Sequence, residues 1–108
     1  MAGDWIKMRN NLGSDPRVLV IADKLRVKDS DLIVGKLWRL WSYADEHTTD
    51  GNLRLQTPEA VDRMLGMRGI SQALAEVGWL IFDNDGAYIP NFEEHHSASA
   101  KRRMVDQQ

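Results

Sequence analysis

Three observations predict an α+β, mainly helical domain with the outline of a winged helix-turn-helix and an extra strand and helix at its N-terminal end. Two short stretches of helical periodicity, one starting at Thr57-Pro58-Glu59 and one over 70–77, are separated by Gly66-Met67-Arg68-Gly69. Gly78-Trp79-Leu80-Ile81-Phe82 and Ala87-Tyr88-Ile89-Pro90 then flank Asp83-Asn84-Asp85-Gly86. Apolar runs on both sides of a turn ending in Asp-Gly are a hairpin signal. Finally, the stretch from Leu32 to Ala44 is apolar around much of its circumference, as a central buried helix must be. The order helix, turn, helix, hairpin suits a module that binds better than it suits an enzyme.

The elements are justified in turn. Trp5-Ile6-Lys7-Met8-Arg9 alternates apolar and basic residues and predicts a short edge strand, whose charges would deter unwanted pairing. Ser14 or Asp15 can cap a helix over 16–26, with Pro16 near its first position, where a missing N–H costs nothing. Val18, Leu19, Ile21, Ala22 and Leu25 give it an apolar face. Ser30 is the expected cap of the central helix. Gly35 within it costs roughly 1 kcal/mol against Ala, which suggests close approach of another backbone. Leu53-Arg54-Leu55 alternates like a third strand. Thr57, Pro58 and Glu59 combine an N-cap, a first-turn proline and a first-turn acid. Gly66 and Gly78 are stops. Residues 1–96 are expected to form the domain, and 97–108 a basic exit segment whose composition suits a helix or a frayed tail.

Composition narrows the class. A chain of 108 residues is one domain with room for a core. It has no cysteine, so neither a disulfide framework nor a thiolate metal site. No apolar run approaches the ~18 residues of a membrane span, and the first residues carry no signal-peptide pattern, so a cytoplasmic protein is expected. Neither a nucleophile elbow nor a phosphate-binding glycine loop is present. No enzymatic activity, cofactor or small-molecule substrate is therefore expected. Glu93-Glu94-His95-His96 suits zinc chemically, but adjacent side chains diverge, so no metal site is expected there.

Charge is distributed unevenly about a net −2. Residues 1–28 carry a net +3, residues 69–92 a net −3 with no Lys or Arg, and residues 97–108 a net +2. In a helix-turn-helix the second helix enters the major groove with its N-terminal residues facing bases. Those residues are Arg68, Ser71 and Gln72; arginine pairs with guanine and glutamine with adenine. The plainer reading makes Ser71 a helix-start residue and Gln72 a solvated one. An acidic hairpin tip at Asp83 and Asp85 would repel the phosphate backbone. DNA contact is thus expected chiefly through Lys24, Arg26 and Lys28 and through Lys101, Arg102 and Arg103. A cation at a helix C-terminus is also the ordinary complement of the helix dipole. Of the four tryptophans, Trp38 and Trp41 share a helix face, in the core or at an oligomer interface. Trp79 anchors the hairpin, and Trp5 is the candidate interface aromatic, with Asp83 and Asp85 as further interface residues.

With these elements placed, the chain resembles the N-terminal winged-helix domain of phage and prophage replisome-organiser proteins, the DnaD-like helicase loaders. The resemblance is carried by Trp5-Ile6-Lys7, by Asp15-Pro16-Arg17-Val18 and by Gly35-Lys36-Leu37-Trp38-Arg39-Leu40-Trp41. It continues through Ala73-Leu74, Val77-Gly78-Trp79-Leu80 and Ile89-Pro90-Asn91-Phe92 to His95 and Ser97-Ala98-Ser99-Ala100-Lys101-Arg102-Arg103. The chain departs from that pattern at His96, where Asn is usual. The resemblance implies a part in DNA replication initiation or helicase loading. It further implies DNA binding, assembly with copies of itself or with other replisome proteins, and a chain that is an N-terminal piece or a shortened member. A protein–protein module without DNA binding and a transcriptional regulator are the rival expectations.

Overall fold

The computed structural model describes residues 5–92. The domain is mainly helical, with a small antiparallel sheet. Helix α1 spans Pro16–Lys24, α2 Ser30–His47, α3 Pro58–Leu65 and α4 Ile70–Glu76, followed by strands β1 (Ile81–Asp83) and β2 (Gly86–Tyr88). A short 3₁₀ turn, Leu12–Ser14, precedes α1.

Local chemistry sets the helix ends. Asp15 caps α1, its side chain accepting from the Arg17 N–H at 2.8 Å. The helix stops short of residue 26 because Arg26 adopts a left-handed φ of 58°. That turn lets the Val27 N–H donate back to the Ala22 carbonyl at 2.8 Å. Asp29, not Ser30, caps α2: its side chain accepts from the Asp31 N–H at 2.9 Å, and Ser30 is the first helical residue. Thr57 caps α3 through its hydroxyl, with the Ala60 N–H at 3.1 Å, and Gly66 ends the helix. Helix α4 ends at Glu76, one residue short of the periodicity.

The expected N-terminal strand does not form. Residues 5–9 have no regular secondary structure, yet their alternation is still used. Ile6 and Met8 are half-buried against the core while Trp5, Lys7 and Arg9 are exposed. A two-residue period is satisfied by laying one side on a hydrophobic surface, without any pairing.

In the hairpin, Ile81, Phe82 and Asp83 oppose Tyr88, Ala87 and Gly86. The Asp83 side chain accepts from the Asp85 N–H at 2.8 Å. Gly86 takes the positive φ of 118°, and an added Cβ would lie 3.1 Å from the Leu55 carbonyl oxygen. Leu53–Leu55 is not a regular strand, because Arg54 takes a φ of 60° and its N–H turns to the Asn52 side chain at 2.9 Å. The segment nevertheless runs along the free edge of β2. Leu53 N donates to Ala87 O at 2.8 Å, Ala87 N to Leu55 O at 2.9 Å, and Ile89 N to Gly51 O at 3.0 Å.

The core lies where α1, α2, α3 and α4 meet the hairpin. Val18 and Ile21 come from α1, Ile33, Leu37, Leu40 and Trp41 from α2, Val61 and Leu65 from α3, and Ile70 and Leu74 from α4. Trp79 anchors the hairpin, meeting Trp41 edge-on at 6.1 Å between ring centroids. Two expectations about α2 are corrected. Gly35 marks no close approach: a Cβ there would meet nothing within 4 Å. Trp38 and Trp41 do not share an environment, being 55% and 2% exposed. Three residues along a helix is a rotation of about 60° backwards, enough to carry Trp38 off the buried stripe.

Candidate nucleic-acid interface

The four residues between α3 and α4 are organised by one carboxylate. Asp62, in α3, accepts from the backbone N–H of Gly69 at 2.8 Å and of Ser71 at 2.8 Å. Gly69 is the N-cap of α4 but has no side chain to cap with. Asp62 supplies the missing acceptor from the preceding helix, and its charge suits the positive end of the helix dipole. The start of α4 is therefore already occupied by an anion.

Ser71 belongs to the same junction. It is 0% exposed, and its hydroxyl donates to the Pro58 carbonyl at 3.1 Å. It cannot read bases, which corrects its assignment as a contact residue; its work is to tie α4 to the start of α3. Gln72 is exposed. Beside it is a shallow hollow of about 450 Å³ lined by Gln56, Pro58, Gln72, Ala75, Glu76 and Phe82, with no cation in its wall. Lys24 does not add one, since its ammonium pairs with the Glu76 carboxylate and links α1 to α4. The exposed tip residues Asp83 and Asp85 make this side more acidic still.

The turn before α4 has the opposite character. A Cβ added at Gly66 would lie 3.6 Å from both the Lys36 Nζ and an Arg39 guanidinium nitrogen of α2. Gly66 also lines a hollow of about 400 Å³ with Arg63 and Arg68, together with Glu59, Asp62 and Met67. Four cations thus gather around one turn, and none of them forms an ion pair with a described residue. Asp62 is spent on backbone N–H groups, and Glu59 is the remaining carboxylate in the hollow's wall. Leu25 packs against the same turn, within 3.3 Å of where a Gly69 Cβ would be, so the α1–α2 corner bearing Arg26 and Lys28 adjoins it.

The structure packs Leu25, the neighbour of Arg26, against the turn that carries Arg68, while Lys24 is paired with Glu76, Ser71 is buried and Gln72 is exposed on the other side of α4. Lys101, Arg102 and Arg103 lie outside the described residues, as does the Glu93-Glu94-His95-His96 cluster. Sequence reasoning missed Lys36, Arg39 and Arg63 because they are spread over α2 and α3, far from any charge run. The available signal was the pair Lys36 and Arg39, which at a spacing of three are neighbours on the helix surface. Among the described residues, no group of three or more His, Cys, Asp or Glu converges as a metal site, and no helix is long and apolar enough to cross a membrane.

Arg17 is held from two sides. Its Nε and Nη2 donate to Asp15 at 3.1 and 2.8 Å, and its guanidinium lies 4.2 Å from the Trp79 ring centroid. The Arg17 side-chain hydrogen bonds hold the Asp15 carboxyl below its usual range, and Asp15 in turn raises the guanidinium.

Comparison with protein-family models, with curated proteins and with solved structures returned no match to this chain.

Proposed function

We propose that this chain is an elaborated winged-helix module that holds nucleic acid through the cationic rim of the α3–α4 turn. The observation that carries the proposal is the convergence of Lys36, Arg39, Arg63 and Arg68 around Gly66, where none forms an ion pair with a described residue although Glu59 and Asp62 line the same hollow. Unpaired cations on one face are what phosphate neutralisation requires. The winged-helix reading is supported by the element order and by the bonds that lay 51–55 beside β2. Arg26 adds weight. A left-handed arginine costs about 1–2 kcal/mol that glycine avoids, and its charge supplies a reason to keep it. The sequence resemblance sets this module in phage-type replication initiation or helicase loading, working on DNA and with other replisome proteins.

The mode differs from base reading by a recognition helix, because the N–H groups at the start of α4 are taken and, among the described residues, no cation lines the α4–hairpin hollow and Lys24 beside it is paired with Glu76. The test is fluorescence anisotropy with single- and double-stranded oligonucleotides at ~50 and ~200 mM salt. Salt-sensitive binding that Arg63→Glu and Arg68→Glu abolish supports the reading. Absence of binding at the lower salt rejects it. The exposed apolar side chains Leu19, Val20, Leu32 and Trp38 favour the second reading, an assembly module without DNA binding. Sedimentation of the full chain separates the two: that reading requires self-association which Trp38→Ala weakens.

A further inference from the structure

We infer that a cleft between the N-terminal segment and the two buried tryptophans receives one bulky apolar side chain from an acidic peptide segment of a partner protein. The cleft holds about 190 Å³ and lies apart from the α3–α4 turn. Leu12, Met8, Trp41 and Trp79 form its apolar walls, and Lys7, Arg9 and Arg17 its charged ones.

Size and chemistry select the occupant. Pockets for drug-sized ligands and cofactors run to roughly 300–1,000 Å³, so this one suits a single side chain. Among the described residues its lining holds three cations and no carboxylate, and the nearby Asp15 is committed to Arg17 and to the first turn of α1. Lys7 and Arg9 are exposed and form no ion pair with a described residue. Arg17 is held in place by Asp15 and by the Trp79 face, so a ligand need not order it. Carboxylates flanking the inserted residue would meet Lys7 and Arg9, which gives the charge complementarity that directs such contacts.

A nucleobase fits poorly. Stacking needs an open ring face. Trp79 is covered by Arg17 and Trp41 meets it edge-on at 85°; both indoles are buried. The walls therefore offer ring edges and aliphatic groups, which accept a leucine or phenylalanine side chain.

The test uses the full chain and a blocked peptide, Asp-Asp-Asp-Phe-Asp-Asp, followed through the tryptophan indole N–H signals by NMR. Saturable shifts at Trp41 and Trp79 are expected. Lys7→Glu with Arg9→Glu should weaken binding by about tenfold or more, as should replacing the peptide's phenylalanine by alanine or its aspartates by serine. Both substituted residues are exposed, and an unchanged far-UV spectrum confirms the fold. No saturable shift, or equal binding of the serine peptide, overturns the inference. So does an oligothymidylate that moves the same two signals and loses that effect in the same variant, since the ligand would then be nucleic acid.

Discussion

The two ends of the α3–α4 unit show opposite solutions to the same problem. Around Gly66, Lys36 and Arg39 from α2 join Arg63 and Arg68, and the nearby Asp62 holds the Gly69 and Ser71 N–H groups. Beside Gln72, the α4–hairpin side carries Glu76, with Lys24 neutralised against it and the Asp83 and Asp85 tip beyond. The helix that sequence logic would send into a groove is thus the less suitable one for DNA. The turn that precedes it carries the cations. A helix-turn-helix order says nothing by itself about which surface meets a polyanion; that depends on where neighbouring helices deliver their charges.

The strongest way to break this comparison is charge reversal. Arg63→Glu with Arg68→Glu should lower DNA affinity by about 100-fold at ~50 mM salt, and each lost phosphate contact should flatten the log–log salt slope by about 0.9. Anisotropy titrations at several salt concentrations measure both. Next comes the carboxylate that organises the turn. Asp62→Ala leaves two backbone donors at the start of α4 without their acceptor and should cost about 2–3 kcal/mol in urea unfolding. Gly51→Ala is expected to cost about 1–3 kcal/mol in the same assay, since φ is 82° and the new Cβ would lie 2.9 Å from Phe92 Cβ.

A smaller effect concerns pH. The Asp15 carboxyl is held below its usual range, first by the Arg17 side-chain hydrogen bonds. Its contribution to stability is complete above the unfolded value of about 4 and is lost as pH falls through the lower folded value. Asp15→Asn should therefore be less stable than the parent chain at neutral pH, with the gap closing in acid; thermal melts across that range measure it. The smallest effect sharpens the comparison from the other side. Gln72→Ala should change DNA affinity by less than about twofold, as an exposed residue beside a hollow that no described cation lines. A large loss there would return base reading to α4.

Much of the architecture was legible along the chain. Asp15-Pro16, Thr57-Pro58 and Gly66 mark helix ends because capping is a contact between residues a few positions apart. The Asp83–Gly86 turn is equally local. The errors share one cause. Trp5–Arg9 alternates as a strand does, but a strand also needs a partner, and this segment finds a hydrophobic surface instead. Gly35 was read as a contact from its cost alone, while the other side of that contact is absent. Ser71 counts as a base-facing residue from its place at the start of the second helix, whereas the Pro58 carbonyl that takes its hydroxyl lies thirteen residues away.

The sequence by itself thus determined the helices, the caps of α1 and α3 and the hairpin, since propensity, capping and turn chemistry act within a few residues. Only the tertiary structure decided which charges act together. Asp62 is engaged by bonds to the Gly69 and Ser71 N–H groups, Lys24 is paired with Glu76 from a distant helix, and Lys36 and Arg39 are delivered to Gly66 by the packing of α2 beside α3. Electrostatic interaction depends on separation in space, and the chain's linear order does not contain those distances.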